Sequence, residues 1–269
     1  ECADLNFRKR TESTDLTGRI ALLTGGRVKI GYQAGIKLLR AGASLIVTTR
    51  FPRDSALRYS KEEDFEAWNH RLHIFGLDLR HTPSVEGFCR HLEESFDRLD
   101  FIINNACQTV RRPPHFYRHM MEQESRHLAK LPKKAIRLLD QYEALHQKGI
   151  DHDSKYELEQ VATDKLVGLT HASALSQYAI TTEDFNVAEH LFPNGQLDQD
   201  LQQVDLRSRN SWRLMMHEVS SIELMEVQLI NAIAPYVINA RLKPLMMKGT
   251  ERDRHIVNVS AVEGQFYRK

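Results

Sequence analysis

Short apolar runs alternate with helix-like segments from residue 19 to residue 103, and this rhythm constrains the fold more than any other feature of the sequence. The apolar runs cover 19–24, 44–49, 72–77 and 99–103, and the helical patterns between them cover 31–40, part of 52–69, and 83–96. Apolar runs this short, bounded by glycine or polar residues, are typical of buried parallel strands. Strands that alternate with helices predict an α/β fold with a doubly wound, Rossmann-type parallel sheet.

The rhythm stops after strand four and resumes about a hundred residues later. The intervening segment contains Phe185, Phe192 and Trp212 together with many leucines, which favours an ordered and mostly helical lobe over disorder. A long helix over 222–247, bent at Pro235, and a fifth strand over 255–260 follow. We expect the strand order 3-2-1-4-5, and right-handed crossovers then put the phosphate-binding turn at the carboxyl edge of the first strand. We divide the chain into an N-terminal extension (1–17), a nucleotide-binding half (18–107), a helical insertion (108–221) and a Rossmann continuation that stops early (222–269).

Composition excludes several classes of protein. The 37 basic and 36 acidic residues give a net charge of +1, so no overall field would steer nucleic acid. No run of eighteen apolar residues occurs, so we expect no membrane span. Cys2, Cys89 and Cys107 are too few for a disulfide framework, which favours a reducing compartment, the cytoplasm or an organelle.

The insertion is rich in histidine, but its spacing does not predict a metal site. His115 and His119 are four residues apart, yet no HExxH motif or carboxylate cluster accompanies them. We therefore expect surface or helix-facing histidines here and predict no bound metal. The other histidines to which this applies are His127, His146, His152, His171 and His190.

A glycine-rich turn lies between the first strand and the first helix, at 24–31 (TGGRVKIG). Glycine allows a tight turn, and the missing Cβ lets a pyrophosphate approach backbone amides at the helix N-terminus. Together with its strand and helix, this turn predicts dinucleotide binding. A glycine turn in a Rossmann-like sheet that binds nothing remains the alternative.

These residues resemble the short-chain dehydrogenase/reductase family. Thr24, Gly25 and Gly31 match the TGxxxGxG turn of that family, while Lys29 stands at its middle glycine, where a lysine could either contact or block phosphate. Asp78-Leu79 resembles the adenine-contacting Asp and its neighbour. The segment 104–107 (NNAC) resembles NNAG, with Cys107 in place of glycine. The resemblance covers roughly 16–105 and 222 to the end, and the insertion lies outside it.

Arg50 follows the second strand, where the ribose 2′-group of a dinucleotide lies in this fold. A basic residue there favours the 2′-phosphate of NADP and an acidic one the 2′-hydroxyl of NAD, so Arg50, with Arg27 and Lys29 nearby, predicts NADP. A solvent-exposed loop arginine is the alternative. The predicted cofactor-binding residues are Gly25, Arg27, Lys29, Ile30, Gly31, Arg50, Asp78, Leu79, Asn105, Ala106 and Cys107.

The catalytic residues implied by the resemblance are incomplete. Asn231 matches the helix asparagine of the family's tetrad, which would hold a water or the catalytic lysine in a proton relay. Ala261 falls at the family's serine position, with Ser260 one residue before it, so a structural role for Ser260 is favoured over a catalytic one. The family's Tyr-x-x-x-Lys pair is expected beyond residue 269, because the segment 267–269 (YRK) has the wrong spacing and comes too early. Cys107 would be a small buried residue or, alternatively, a reactive thiol.

Two functions remain open. The first is an NADP-dependent oxidoreductase that transfers hydride to or from a small carbonyl or alcohol substrate, with the insertion over the substrate pocket. The second is an inactive relative whose insertion docks a partner, because Lys29, Cys107 and Ala261 all depart from the family pattern. We also expect a homo-oligomer or a subunit of a larger assembly, since five strands alone leave an edge and apolar helix faces uncovered unless the native chain continues.

Overall fold

In the computed structural model, the described residues are 4, 7–8, 12–153, 171–185, 189–250 and 252–261, with backbone only at 147–153 and 189. Five parallel strands form one sheet in the order 3-2-1-4-5, which confirms the predicted topology. The strands are β1 (Ile20–Thr24), β2 (Ser44–Thr49), β3 (Leu72–Gly76), β4 (Phe101–Asn104) and β5 (His255–Asn258). Residues 1–3, 5–6 and 9–11 of the predicted N-terminal extension, Cys2 among them, lie outside the described residues.

The central strands are buried because both faces of the sheet are covered. Leu22 and Leu23 of β1, like Ile46 and Val47 of β2, have no exposed surface. Strand β1 pairs with β2 from Ile20↔Ser44 to Thr24↔Thr48, which aligns the ends of the two strands. A parallel sheet brings the carboxyl ends of its strands to one edge, and this edge carries the ligand site in doubly wound folds.

Helices lie on both faces of the sheet. Those of the Rossmann half are α1 (Lys29–Arg40), α2 (Pro52–Tyr59), α3 (Phe65–Trp68) and α4 (Thr82–Ser95). The predicted helices at 31–40 and 83–96 are thus confirmed to within two residues at each end. The segment 52–69 forms two helices because residues 60–64 form turns between them. Buried aromatic side chains fill the space between these helices and the sheet, with Tyr59 and Trp68 at 0% and 1% exposure.

The described part of the insertion consists of short helices joined by loops. These helices are α5 (Arg118–Ser125), α6 (Lys133–Arg137), α7 (Asp140–Asp153), α8 (Ala172–Leu175) and α9 (Thr182–Phe185), with three-residue and four-residue 3₁₀ turns between some of them. Phe192 packs in a small second core with Phe51, Phe116, Tyr117 and Met120. Phe185 and Trp212, by contrast, are 71% and 77% exposed.

A buried ion-pair network joins the insertion to the Rossmann half. The Glu226 carboxylate accepts hydrogen bonds from Arg80 Nη1 (2.7 Å) and from Arg111 Nε (3.0 Å). Arg111 also donates to both oxygens of Asp184 in α9, at 2.6 and 2.7 Å. Burial would raise the pKa of Asp184, but Arg111 and two backbone amides lower it to about 2. The insertion is therefore fixed to the sheet edge by charge-assisted bonds that are shielded from water.

The long helix predicted over 222–247 is present but changes its pitch in the middle. It consists of α10 (Ser221–Gln228), a π-helical turn (Leu229–Ile233) and α11 (Ala234–Lys248). Pro235 stands at the start of α11, directly after the π turn, so its missing N–H falls where the α-helical bonding pattern already changes. The sequence predicted a bend of the helix at Pro235, and the structure has a π-helical turn directly before this residue.

Two features of this region bear on possible partners. By length and composition only, Ser221–Lys248 passes as a membrane span, with a hydropathy of 1.2 and 28% of its most apolar window buried. Helices that pack on a sheet also have this composition, and α11 packs along α4, where Arg241 pairs with Glu86 at 2.7 Å. Strand β5 lies at the sheet edge with all four residues exposed. The absence of membrane contact and the presence of a partner that covers the sheet edge therefore stay predictions.

Candidate nucleotide site

The turn from Thr24 to Gly31 lies at the carboxyl edge of the sheet, directly after β1. Gly25 has a φ of +70°, and a Cβ there would lie 2.9 Å from Ala106 Cα. A Cβ on Gly31 would lie 2.2 Å from the Gly25 carbonyl oxygen and 2.5 Å from Asn105 Nδ2. Both positions thus require glycine, Gly25 for its backbone angle and Gly31 for the close approach of the turn.

Asn105 and Thr24 tie this turn to the loop after β4. Thr24 Oγ1 accepts hydrogen bonds from the backbone amides of Asn105 and Ala106, both at 3.0 Å. Asn105 Nδ2 donates to the carbonyl oxygens of Thr24 and Gly25, both at 3.1 Å. The Asn105 side-chain amide therefore stabilises the turn. Its Nδ2 is already engaged, so a contact between Asn105 and a cofactor would have to use other atoms of this residue.

Lys29 adopts a left-handed backbone conformation, with φ +55°, at the first residue of α1. This is the position at which the resemblance implies glycine. The side chain is 55% exposed, and its Nζ lies 3.9 Å from a carboxylate oxygen of Asp200 in the insertion. Lys29 thus keeps the backbone geometry of a glycine while its amine points toward an acidic residue.

All eleven predicted cofactor-binding residues line one cavity of about 420 Å³. It extends from the glycine turn to the ends of β2, β3 and β4. Sequence reasoning missed the residues that the insertion contributes to its wall, since no motif marks them. These are Gln108, Thr109, Val110, Arg112, Phe116, Tyr117 and Gln202. The nucleotide-binding half adds Val28, Thr48, Thr49, Phe51 and Leu77, and the Rossmann continuation adds Ile230.

Arg50 is held in place by aromatic rings. Its Nη2 donates to the Tyr117 hydroxyl at 2.8 Å, and its guanidinium carbon lies 4.6 Å from the Tyr117 ring centroid and 5.6 Å from that of Phe51. Stacking of this kind fixes the guanidinium without neutralising its charge. The alternative of a solvent-exposed loop arginine does not describe this half-buried side chain.

Arg27 is more deeply buried and already has a carboxylate partner. Its Nη1 donates to Asp54 Oδ2 at 2.8 Å and its Nη2 to Gln202 Oε1 at 3.1 Å. Burial lowers the pKa of Arg27, and Asp54 opposes that shift. Burial would raise the pKa of Asp54, but Arg27 and Arg58 hold it below its ordinary value. Asp54 is therefore a carboxylate whose charge these two arginines offset.

The Asp78 carboxylate lies against the cavity but is engaged by Arg80. It accepts from Arg80 Nε at 3.0 Å, from Nη2 at 2.6 Å and from the Arg80 backbone amide at 3.0 Å. Burial would raise the pKa of Asp78, yet Arg80 keeps it below its ordinary value. An adenine contact by Asp78, as the resemblance implies, would have to share this carboxylate with Arg80.

The two predicted catalytic residues do not line the cavity. Asn231 lies in the π turn, where its Oδ1 accepts from the Gln108 amide at 2.8 Å and its Nδ2 donates to the Gln108 carbonyl at 3.0 Å. Ser260 and Ala261 follow β5 and are exposed, and Ser260 Oγ reaches only the Ala261 carbonyl, at 3.5 Å. The segment 267–269 lies outside the described residues. The described chain thus brings the nucleotide-binding candidates together and leaves the catalytic candidates at the periphery.

Cys107 lines the cavity as an exposed thiol, so the expectation of a small buried residue was wrong. The glycine position of NNAG lies at the mouth of the site, where a side chain meets solvent rather than packed neighbours. Cys89, in contrast, is buried in α4, and burial raises the pKa of its thiol to about 12. The exposed thiol keeps the alternative of a reactive cysteine open.

Within the described ranges, no group of three histidine, cysteine or acidic side chains could hold a metal ion. His146 and His171 do form a close pair, with their Nε2 atoms 2.7 Å apart. Burial and the neighbouring His146 lower the pKa of His171, which favours the neutral form of His171. His152 lies where only backbone is described.

The sequence of the nucleotide-binding half is similar to that of short chain dehydrogenases. The sequence profile of the short chain dehydrogenase family matches residues 19–130. "Uncharacterized protein R665" of Acanthamoeba polyphaga mimivirus is 27% identical over 273 residues, which cover 99% of this chain and 49% of that protein. Human "Retinol dehydrogenase 13" is 31% identical over 101 residues, which cover 38% of this chain and 30% of that protein.

Solved structures of short chain dehydrogenases are also similar to part of this chain. The short chain dehydrogenase from Shigella flexneri is 21% identical, with 50% of this chain and 53% of that chain covered and a TM-score of 0.34. The chain spans half or less of the length of the two sequence relatives above. The similarity to the mimivirus protein includes the insertion, whereas the match to retinol dehydrogenase 13 covers little more than a third of this chain. The match to the short chain dehydrogenase family covers residues 19–130, which include the glycine turn and the first four strands.

Proposed function

We propose that this chain binds NADP(H) and takes part in hydride transfer to or from a carbonyl or alcohol carbon. The observation that carries the proposal is that all eleven residues selected from the sequence meet in one cavity at the carboxyl edge of the sheet. Dinucleotides bind at this edge in doubly wound folds. The cavity volume of about 420 Å³ is within the range of small-molecule sites.

The residues present fit a pyrophosphate. Helix α1 has twelve residues, no side-chain cap at its N-terminus and no acidic residue in its first turn. Its first amides therefore follow a turn in which Gly25 and Gly31 leave no room for a Cβ. Uncapped amides and the positive end of the helix dipole favour an anion at this point.

The preference for the 2′-phosphate rests on Arg50. Its guanidinium is oriented by Tyr117 and Phe51, and it donates a hydrogen bond to the Tyr117 hydroxyl rather than to a carboxylate. The nearest acidic residue of α2, Asp54, is engaged by Arg27 and Arg58 instead. A phosphate beside Arg50 would gain charge-assisted hydrogen bonds that a ribose hydroxyl cannot match.

When bound, the nicotinamide supplies or accepts the hydride, and the residues of this chain bind and orient it. The proton transfer that accompanies hydride transfer needs a group near the substrate oxygen. Ala261 has no hydroxyl, and the Asn231 side chain is engaged by Gln108. These observations favour a second candidate, a nucleotide-binding subunit that is catalytically inactive. Activity would depend on residues outside the described part of the chain.

Nucleotide affinity tests the first candidate. Isothermal titration should show NADPH binding more tightly than NADH to the wild-type chain. Arg50→Gln should weaken NADPH about tenfold or more, because a charged hydrogen-bond donor is lost, and should leave NADH within about twofold. Arg126→Gln, which removes an exposed arginine outside the cavity, serves as the matched control.

Turnover separates the two candidates. Oxidation of NADPH with a panel of carbonyl substrates supports the oxidoreductase, whereas tight binding without turnover supports the inactive subunit. If neither NADPH nor NADH binds, both candidates fail. Equal binding of the two dinucleotides would refute the assignment of the 2′-phosphate to Arg50.

A further inference from the structure

A small hairpin of the insertion lies next to the glycine turn. Its ends are joined by an antiparallel bridge between Leu197 and Gln203, and we call residues 197–203 the insertion hairpin. The Asp198 carboxylate accepts from the backbone amides of Asp200 and Gln202, both at 2.9 Å. Asp198 also donates its own amide to the Gln202 carbonyl at 2.8 Å. These bonds give the tip, residues 200–202, a defined shape.

The tip of the hairpin binds the cations around the turn. Arg58 Nη1 donates to the Asp200 carbonyl at 2.7 Å and Nη2 to the Leu201 carbonyl at 3.1 Å. Gln202 Oε1 accepts from Arg27 Nη2 at 3.1 Å and is part of the cavity wall. The Asp200 carboxylate lies 3.9 Å from Lys29 Nζ. Three positive side chains of the Rossmann half therefore face acceptors of the insertion.

These contacts are of two kinds. The backbone carbonyls and the Gln202 side-chain amide accept hydrogen bonds from Arg58 and Arg27, and they do so without changing the net charge at the cavity. Asp200, in contrast, places a negative charge beside Lys29, a residue of the glycine turn at which the pyrophosphate is expected. Lys29 is 55% and Asp200 27% exposed, so water and salt screen the pair but do not remove its effect on a nearby anion.

We propose that the insertion hairpin sets the affinity of the cavity for phosphate-bearing nucleotides, with Asp200 weakening phosphate binding through Lys29. This inference rests on the proposed nucleotide binding and adds a residue of the insertion to that site. Asp200 competes with phosphate for the Lys29 amine, while Gln202 and the two backbone carbonyls keep the hairpin in place whatever the charge at residue 200.

The test compares Asp200→Asn with Glu122→Gln, which removes one exposed negative charge from helix α5 of the same insertion. The Asp200 carbonyl that accepts from Arg58 is retained in Asp200→Asn, so the hairpin should stay folded, as hydrogen exchange at 198–203 can verify. We expect Asp200→Asn to bind NADPH about two- to fivefold more tightly at low ionic strength, the range of an exposed ion pair. The gain should shrink at high ionic strength, and Glu122→Gln should bind like the wild type.

A second background identifies the route of the effect. In Lys29→Ala, a further Asp200→Asn change should leave NADPH affinity within about 1.5-fold, since the amine for which Asp200 competes is gone. A gain that persists in that background overturns the role of Lys29. An unchanged affinity of Asp200→Asn, with normal binding of NADPH by the wild type, overturns the inference and leaves the proposed function standing. Failure of wild type and variant to bind any dinucleotide overturns both.

Discussion

Replacing Lys29 with glycine should stabilise the protein, although it deletes a charged side chain at a predicted binding site. Lys29 has a φ of +55°, where a residue with a Cβ is strained by about 1–2 kcal/mol. Glycine removes that strain and adds roughly 0.5–1 kcal/mol of chain entropy to the unfolded state. The ion pair to Asp200, at 3.9 Å and with Lys29 55% exposed, contributes less than about 1 kcal/mol.

These opposing contributions leave a net gain of at most about 1 kcal/mol for Lys29→Gly. For a chain of this size, that corresponds to a rise in Tm of up to about 4 °C. Thermal unfolding followed by circular dichroism measures it, and urea unfolding checks that the m-value is unchanged. Lys29→Ala is the matched control, because it removes the same amine but retains the Cβ at the same backbone angle.

The control decides between two causes of stabilisation. If strain at φ is the cause, Lys29→Gly gains stability and Lys29→Ala does not. If both variants gain equally, relief of repulsion among Lys29, Arg27 and Arg58 is the cause, and the backbone argument is refuted. A loss of stability in Lys29→Gly would show that the amine holds the insertion hairpin more strongly than an exposed pair should.

Two other carboxylates give predictions of opposite sign. Glu226→Gln should lower the free energy of unfolding by about 3 kcal/mol in urea, because two buried guanidiniums lose their shared charge, while the exposed Glu122→Gln should leave it within about 0.5 kcal/mol. Burial raises the pKa of Glu124 from 4.5 to about 8. The folded state then binds more protons than the unfolded state between these two values, so stability falls as the pH rises from about 4.5 to about 8. Glu124→Gln should therefore be more stable than the wild type at pH 8–9 and flatten the pH dependence of Tm in that window; a parallel dependence in both proteins would contradict the burial of this carboxyl.

Local signals allowed the sheet to be predicted from the sequence. The run 44–49 and strand β2 coincide, because a short apolar segment between a glycine and a loop has few other places in a parallel sheet. The glycine turn could also be predicted, because Gly25 is required by its backbone angle and Gly31 by the close approach of the turn. Both are local properties of the turn. The expected strand order 3-2-1-4-5 matches the sheet, and the rule of right-handed crossovers placed the glycine turn at its carboxyl edge.

The contacts of the insertion could not be predicted in the same way, because they join residues that are far apart in the sequence. Arg27 and Gln202 are 175 residues apart and bond across the cavity, and no periodicity near either residue signals this. Phe192 is buried while Trp212 is 77% exposed, although both are large and apolar. Which of them reaches a core depends on how the short helices dock. The burial of Cys107 was predicted wrongly for a related reason. A motif gives the position of a residue in the chain but not the exposure of a side chain that replaces glycine there.

An arginine follows each of the first four strands, and together they explain why the insertion lies where it does. Arg27, Arg50, Arg80 and Arg111 come after β1, β2, β3 and β4 in turn, so the parallel sheet brings all four to its carboxyl edge.

Each of these arginines donates to the insertion or to helix α10: Arg27 to Gln202, Arg50 to Tyr117, Arg80 to Glu226, and Arg111 to Asp184 and Glu226. A cationic edge of this kind attracts anionic cofactors in doubly wound folds, and here the same donors also dock a lobe of the protein. The proposed nucleotide binding and the attachment of the insertion would therefore share hydrogen-bond donors. A ligand that engages Arg27 or Arg50 must change the free energy that holds the insertion hairpin or Tyr117 at the cavity, and by linkage a change in those contacts must alter affinity for the ligand.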